Sequence, residues 1–173
     1  KFEKDFKDAK VAPDAAYLKA VLFSENENHE EAKRQYESLV MRHPSSFAAD
    51  KGRVALARMY LAGKNASAAR DLAEKVASSR TDEYGAEAQF LTAEALAASS
   101  QWEEAVTAYL RVRYLFSSYD KWVAKSYLGL GASYEAMNDL REAKKAYQNV
   151  LRYKEQQDSV SEAQIRLKKL ERS

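Results

Sequence analysis

The sequence predicts an all-α chain in which antiparallel helix pairs stack side by side as a short solenoid. Three observations predict it. Across 173 residues, 46% are hydrophobic and 31% charged with only 5 Gly and 2 Pro, and the abundant Ala, Glu, Lys, Leu and Arg favour helix nearly throughout. Every recognisable apolar pattern has the i, i+3, i+4, i+7 spacing of one helical face. A helix–turn–helix unit recurs, its small second-helix residues Ala32, Ala69, Ala105 and Ala143 separated by 37, 36 and 38 residues. A chain of this length can bury its core as one compact domain or as stacked units, and the recurrence selects the stack.

In chain order, residues 1–10 are expected to be the second helix of a truncated preceding repeat. The start, Lys1-Phe2-Glu3-Lys4-Asp5-Phe6, lacks an initiator Met and a signal-like apolar stretch, as expected of a fragment or mature form. The first full pair, 14–46, carries Ala20 and Phe23, then Ala32, Tyr36 and Leu39, and closes at Pro44. The second, 47–80, carries Leu56, Ala57 and Tyr60, turns at Gly63-Lys64-Asn65, and continues with Ala69, Ala73 and Val76. In the third, 81–118, Ala93 and Leu96 precede a turn at Ser99-Ser100-Gln101, and Tyr109, Val112, Leu115 and Phe116 are expected to form the buried stripe; Gln89 and Thr92 depart from the pattern.

The fourth pair, 119–154, is the clearest. Tyr127, Leu130, Gly131 and Tyr134 share one helical face, and Gly131 lets the next helix approach closely. Met137-Asn138-Asp139 supplies the turn, and Ala143, Tyr147 and Val150 continue the stripe. Residues 159–171 read as an amphipathic helix that covers the open end of the stack, as solenoids require.

The window Tyr127-Leu128-Gly129-Leu130-Gly131-Ala132-Ser133-Tyr134, followed by Ala143 and Tyr147, resembles the tetratricopeptide-repeat signature: an aromatic at the tryptophan slot, Leu-Gly, Tyr, then Ala and an aromatic in the second helix. The resemblance extends over residues 14–154. The usual period is about 34 residues, so each copy here carries a few extra, most simply in the loops. It implies a right-handed α-α superhelix whose first helices line a concave face and offer most contacts to a protein or peptide partner, with no catalysis. The long repeats, the aromatic linker from Tyr114 to Trp122 and the Ala-rich helices are also similar to bacterial envelope members of the family, such as the lipoprotein subunit of outer-membrane assembly and the Tol-Pal coordinator. That similarity implies a periplasmic or outer-membrane-associated scaffold, with a cytoplasmic location as the alternative.

The sequence offers no chemistry against this reading. Lys and Arg total 28 against 26 Asp and Glu, a net charge of +2, so no global field draws the protein to nucleic acid or acidic membrane. Without cysteine there is no disulfide, thiolate metal site or thiol nucleophile. No apolar run approaches the ~20 residues that span a bilayer. His29 and His43 mark helix ends without metal-ligand spacing, Gly129-Leu130-Gly131 lies inside a helix pattern without a phosphate-loop ending, and no Gly-x-Ser-x-Gly elbow occurs. No catalytic residue, metal or cofactor is therefore expected. The aromatics Tyr109, Tyr114, Phe116, Tyr119 and Trp122, interleaved with Arg111 and Arg113, lack the basic groove of a base-stacking platform. They read as packing, with Trp122 anchoring the long connection and Tyr119 with Trp122 as a secondary partner patch.

The expected partner surface follows from the repeat. Three residues before the small slots Ala20, Ala57, Ala93 and Gly131 stand Tyr17, Val54, Phe90 and Leu128, an apolar column on or beside the concave face. Arg58, Glu94, Lys125 and Glu135 add charges of both signs that would orient a partner. One subtype of the family grips the C-terminal carboxylates of chaperones with Lys, Asn and Arg. The matching positions here hold Tyr17, Val21, Ala55, Glu87 and Leu91, so that clamp is absent. The competing readings are a column that only packs repeat against repeat, self-association into a homo-oligomer, and repeats that regulate an enzyme elsewhere in a longer chain.

Overall fold

The computed structural model describes residues 12–172. Among these the chain forms nine α-helices and no strand: α1 (Ala12–Glu25), α2 (His29–Arg42), α3 (Phe47–Ala62), α4 (Ala66–Ala77), α5 (Glu83–Ala98), α6 (Trp102–Leu115), α7 (Asp120–Ala136), α8 (Leu140–Val150) and α9 (Gln157–Leu170). The expected helix over residues 1–10 lies outside the described residues.

One turn design joins the helices of each pair. Glu27, Lys64, Ser100 and Asn138 all take left-handed backbone, with φ of 58, 60, 59 and 62°. The amide of the following residue reaches back to a carbonyl in the helix just ended: Asn28 to Phe23 at 2.9 Å, Asn65 to Tyr60 at 2.8 Å, Gln101 to Leu96 at 3.0 Å and Asp139 to Tyr134 at 2.8 Å. This closes the C-terminal carbonyls in a Schellman arrangement. The same residue then starts the next helix. Asn28, Asn65 and Asp139 each accept a bond from the amide three residues on, whereas Gln101 does not cap with its side chain. The turns are thus specified by their capping residues rather than by glycine at the left-handed position.

Helices pack against their chain neighbours, and α1, α3, α5 and α7 also touch in succession. No comparable contact links α2, α4, α6 and α8. The first helices therefore form an inner wall and the second helices an outer one, the arrangement of a curved α-α solenoid. Small residues allow the close crossings: Ala20, Ala57 and Ala93 are 0% exposed, and Gly131 is buried under the Tyr147 ring. Gly129 plays a second part that its sequence motif did not suggest. A β-carbon there would stand 2.2 Å from Cζ of Tyr109, so Gly129 admits the preceding pair while Gly131 admits its own partner helix.

Leu39, Leu56, Val76, Val112 and Val150 fill the layers between, each almost wholly buried and each contributing about 1.5–3 kcal/mol by its removal from water. The buried stripe of α6 differs from expectation: Tyr109, Val112 and Phe116 are buried, but Leu115 is 67% exposed. Leu115 falls between the i, i+3 and i+7 positions of that face, so the helix turns it outward. Gln89 and Thr92 sit on the floor between the outer helices, where Gln89 Nε2 donates to the Ala108 carbonyl at 3.1 Å and Thr92 Oγ1 to that of Ala88 at 2.9 Å. At the far end α9 lies on α8 and α7, burying Ser159 and Ala163.

Candidate partner-binding face

The four residues of the expected column have different fates. Tyr17 is half-buried, 5.9 Å from the Tyr36 ring, with the Lys51 ammonium 4.7 Å above its face. Phe90 is half-buried between Tyr109 at 6.0 Å and Trp122 at 5.6 Å. Leu128 is half-buried against the core of the last two pairs. Val54 is 0% exposed, enclosed with Ala57, Ala73, Val76, Ala88 and Leu91, and no partner can reach it. The inner helices lean on one another, and where α5 crosses α3 the column becomes packing. The concave face is therefore an interrupted row.

The charged residues also divide. Glu135 is turned to the cap: Arg166 of α9 lies 3.5 Å from it, and its Oε1 is buried beside the Tyr147 hydroxyl without a hydrogen bond. Burial, then the charge of Glu135, holds the Tyr147 phenol well above its ordinary range. Glu94 accepts a hydrogen bond from the Tyr109 hydroxyl, and burial raises its carboxyl pKa against the pull of that bond and of Lys125. These two carboxylates serve the interior, while Arg58 and Lys125 of the expected partner charges remain exposed.

Around Arg58 the structure assembles a cluster that the sequence pattern did not single out as a unit. Arg58 Nε lies 3.2 Å from Glu87 Oε1 on α5, joining the second pair to the third. Glu87 is pushed up by burial and drawn down by Arg58, Lys121 and Lys125, with the exposed Glu83 opposing them. Tyr17 and Tyr84 stand in the same field, their phenols raised chiefly by burial. Tyr36 is pushed up to about 12 by burial, then by Tyr17. A signal was present in the sequence: six residues before the small slots the chain reads Asp14, Lys51, Glu87, Lys125, alternating in sign. One neighbouring pair of the series meets, Lys51 and Asp14 at 3.9 Å.

Beside this cluster, α1, α2 and α3 enclose an open recess of about 760 Å³, lined by Tyr17, Val21, Tyr36, Ala55, Arg58 and Met59 among others. A second recess of about 840 Å³ opens on the outer side, over Gln89 and Thr92 between α4 and α6, with Arg111 and Leu115 at its edge.

The two residues of the expected secondary patch differ in exposure. Trp122 is 5% exposed, packed on Phe90 with Lys121 and Lys125 at 4.5 and 5.3 Å from its ring, and Tyr119 is half-buried against the same core. Trp122 anchors the connection from inside, and the exposed aromatic of this region is Tyr114 at the end of α6. Among the described residues no three His, Asp or Glu side chains gather as a metal-binding set, and no helix is long and apolar enough to cross a membrane.

Comparison with known proteins addresses the repeat directly. Two models described as tetratricopeptide repeat match the chain, one over residues 124–157 and one over 14–46 and 87–118, together more than half of it. Among solved structures the chain is similar to "MamA RS-1 ArsTM double mutant", with a TM-score of 0.70 at 18% identity, covering 91% of this chain and 83% of that one. It is also similar to MamA from residue 41 to its end from Desulfovibrio magneticus RS-1, with a TM-score of 0.69 at 19% identity, covering 88% and 81%. At these identities the likeness concerns the fold. No curated protein matches the chain. These matches lend no support to a particular likeness with the outer-membrane assembly lipoprotein or the Tol-Pal coordinator.

Proposed function

This chain belongs to the tetratricopeptide-repeat family, and we propose that it is a non-enzymatic protein-interaction scaffold that holds a partner segment against its concave face. The observation that supports this most is the recess of about 760 Å³ on the inner wall, where half-buried Tyr17 and Val21 and the exposed Arg58 offer apolar and charged surface together. Phe90 and Leu128 extend that surface toward the C-terminal pairs. Such a wall suits a segment that spaces aliphatic or aromatic side chains along its length. Val54, Glu94 and Glu135 take no part in it.

The test uses a photo-crosslinking residue at Arg58 or, on the outer wall, at Lys144, with partners captured from the native source and identified by mass spectrometry. A concave site gives crosslinks from position 58 and none from 144. Tyr17→Ala and Phe90→Ala should weaken the same partner by about 1–3 kcal/mol where either is a hot spot. Their stability must be measured alongside, since Tyr17 packs on Tyr36 and Phe90 on Trp122. Undiminished binding by both folded variants would remove the concave reading. If the captured partner is the chain itself, self-association is the function of that face, and sedimentation across concentrations measures it. We also propose a periplasmic or outer-membrane-associated location, resting only on the resemblance of the long repeats, the Tyr114 to Trp122 linker and the Ala-rich helices to envelope members of the family; recovery in the cytosolic fraction would overturn it.

A further inference from the structure

We propose that the outer wall carries a second docking site, a slot between α4 and α6 that takes a tyrosine side chain from a segment of a partner protein. The slot lies on the opposite wall from the concave recess and does not depend on it. Its recess of about 840 Å³ opens over α5, with Ala77 at the end of α4, Gln89 and Thr92 on the floor and Leu115 at the end of α6. The neighbouring repeat contains the group that this gap lacks.

Counted from the small slots of each repeat, Ala77, Gln89 and Leu115 answer to Arg113, Tyr127 and Tyr153 in the gap between α6 and α8. There the chain closes the gap by itself. Tyr127 is 7% exposed, its ring 6.1 Å from that of Tyr153, and the Arg113 guanidinium lies 5.8 Å from its centroid. Between α2 and α4 the position of Gln89 is held by Arg53, whose guanidinium donates to Asp50 at 2.7 Å and to the Pro44 carbonyl at 2.6 Å. In the middle gap a methyl, a carboxamide and a leucine stand where the next gap has a guanidinium and two phenol rings. The open recess is what those smaller groups leave.

The guest that fits is a ring with a polar tip. Gln89 Nε2 already donates to the Ala108 carbonyl and Thr92 Oγ1 to that of Ala88, so the Gln89 carboxamide oxygen and the Thr92 hydroxyl oxygen are left to accept a proton from a guest hydroxyl. A ring entering from outside lies along Ala77 and the exposed Leu115, with the Arg111 guanidinium lining the same recess. Apolar contact and cation–π attraction hold its body while the floor takes its hydroxyl. A phenylalanine would cover the two polar side chains without pairing them. Charge does not choose the guest, because Asp71 and Glu74 stand with Lys75 and Arg111 around the recess. Tyr114, 69% exposed beside Leu115, extends the apolar rim for the residues that flank the guest.

The test is two-dimensional amide NMR of the full chain, titrated with the acetylated and amidated pentapeptide Ser-Ala-Tyr-Ala-Ser and its counterparts with Phe, Leu or Ala at the centre. The Tyr peptide should move the signals of Ala77, Gln89, Thr92 and Leu115 together. It should bind about tenfold tighter than the Ala peptide and severalfold tighter than the Phe peptide. Gln89→Tyr combined with Ala77→Arg and Leu115→Tyr rebuilds the stack of the next gap, and should abolish those shifts and raise the melting temperature. Arg111→Ala should weaken the Tyr peptide severalfold, and Lys144→Ala on α8 should leave its affinity as it was. Equal affinity for the Tyr and Ala peptides, equal affinity for Tyr and Phe, shifts confined to the concave residues Tyr17 and Phe90, or undiminished binding by the folded triple variant would each overturn the inference. Should the triple variant not fold, the peptide series on the parent still decides. The same four shifts on concentrating the parent without peptide, lost in Tyr114→Ala, would give the slot to a second copy and overturn the assignment to a partner protein. None of these outcomes depends on the crosslinks from Arg58, so the concave reading stands or falls separately.

Discussion

Gly131 lies directly beneath the ring of Tyr147, where a β-carbon would stand 2.3 Å from Cε1. That distance is far inside van der Waals contact, so α7 and α8 can cross as they do only because residue 131 has no side chain. Gly131→Leu should therefore force the ring or the helix away and lower stability by about 1–3 kcal/mol. Urea denaturation followed by circular dichroism measures it, and an unchanged midpoint would mean that the helices cross elsewhere.

Lys64 adopts φ of 60° in the turn between α3 and α4, while Gly63 beside it sits at an ordinary −80°. The strain belongs to the lysine. Lys64→Gly relieves it at some cost in unfolded-state entropy, for a net gain of about 0.5–1 kcal/mol. Asn138, in the same turn of the fourth pair, tolerates this conformation better, so Asn138→Gly should gain less. A Lys64→Gly protein that melts earlier than the parent would contradict the assignment.

Tyr147 and Val150 are almost wholly buried at the end of the stack, where α9 covers α8 and Arg166 reaches across to Glu135. Removing residues 157–173 uncovers that surface, and a solenoid end cannot bury it alone. The shortened chain should aggregate or melt at a lower temperature, as light scattering and thermal denaturation would report. Arg166→Ala should have a smaller effect, about 1 kcal/mol or less, because the pair is partly exposed.

Glu94 gives stability a defined pH dependence. Burial raises its pKa above the ordinary 4.5, so folding favours the protonated form. Its contribution is fully present below 4.5 and is lost as pH rises through the raised value. The difference in unfolding free energy between the parent and Glu94→Gln should therefore shift against the parent as pH climbs from acid through that window. A difference that moves the other way would show that the Tyr109 hydrogen bond outweighs burial.

The sequence by itself determined the helices, the pairing and the family. Period-3.6 apolar patterns, small residues at matched slots and polar capping residues at the turns are local signals, and each acts within a few residues of where it is written. Gly131 could be read in this way because it answers to the helix that follows it in the chain. The binding face could not be read so far. Tyr17, Val54, Phe90 and Leu128 occupy one position in four repeats, yet Val54 is sealed at the α3–α5 crossing while Tyr17, Phe90 and Leu128 stay half-open. Glu94 and Glu135 likewise look like surface charges until Tyr109 and Arg166 arrive from other helices. Which side of a repeated position faces solvent depends on how one pair leans on the next, and that is summed over contacts between residues distant in the chain. The tertiary structure alone decided that Arg58, Glu87, Lys121 and Lys125 share one field, because three separate helices have to meet before those charges are neighbours.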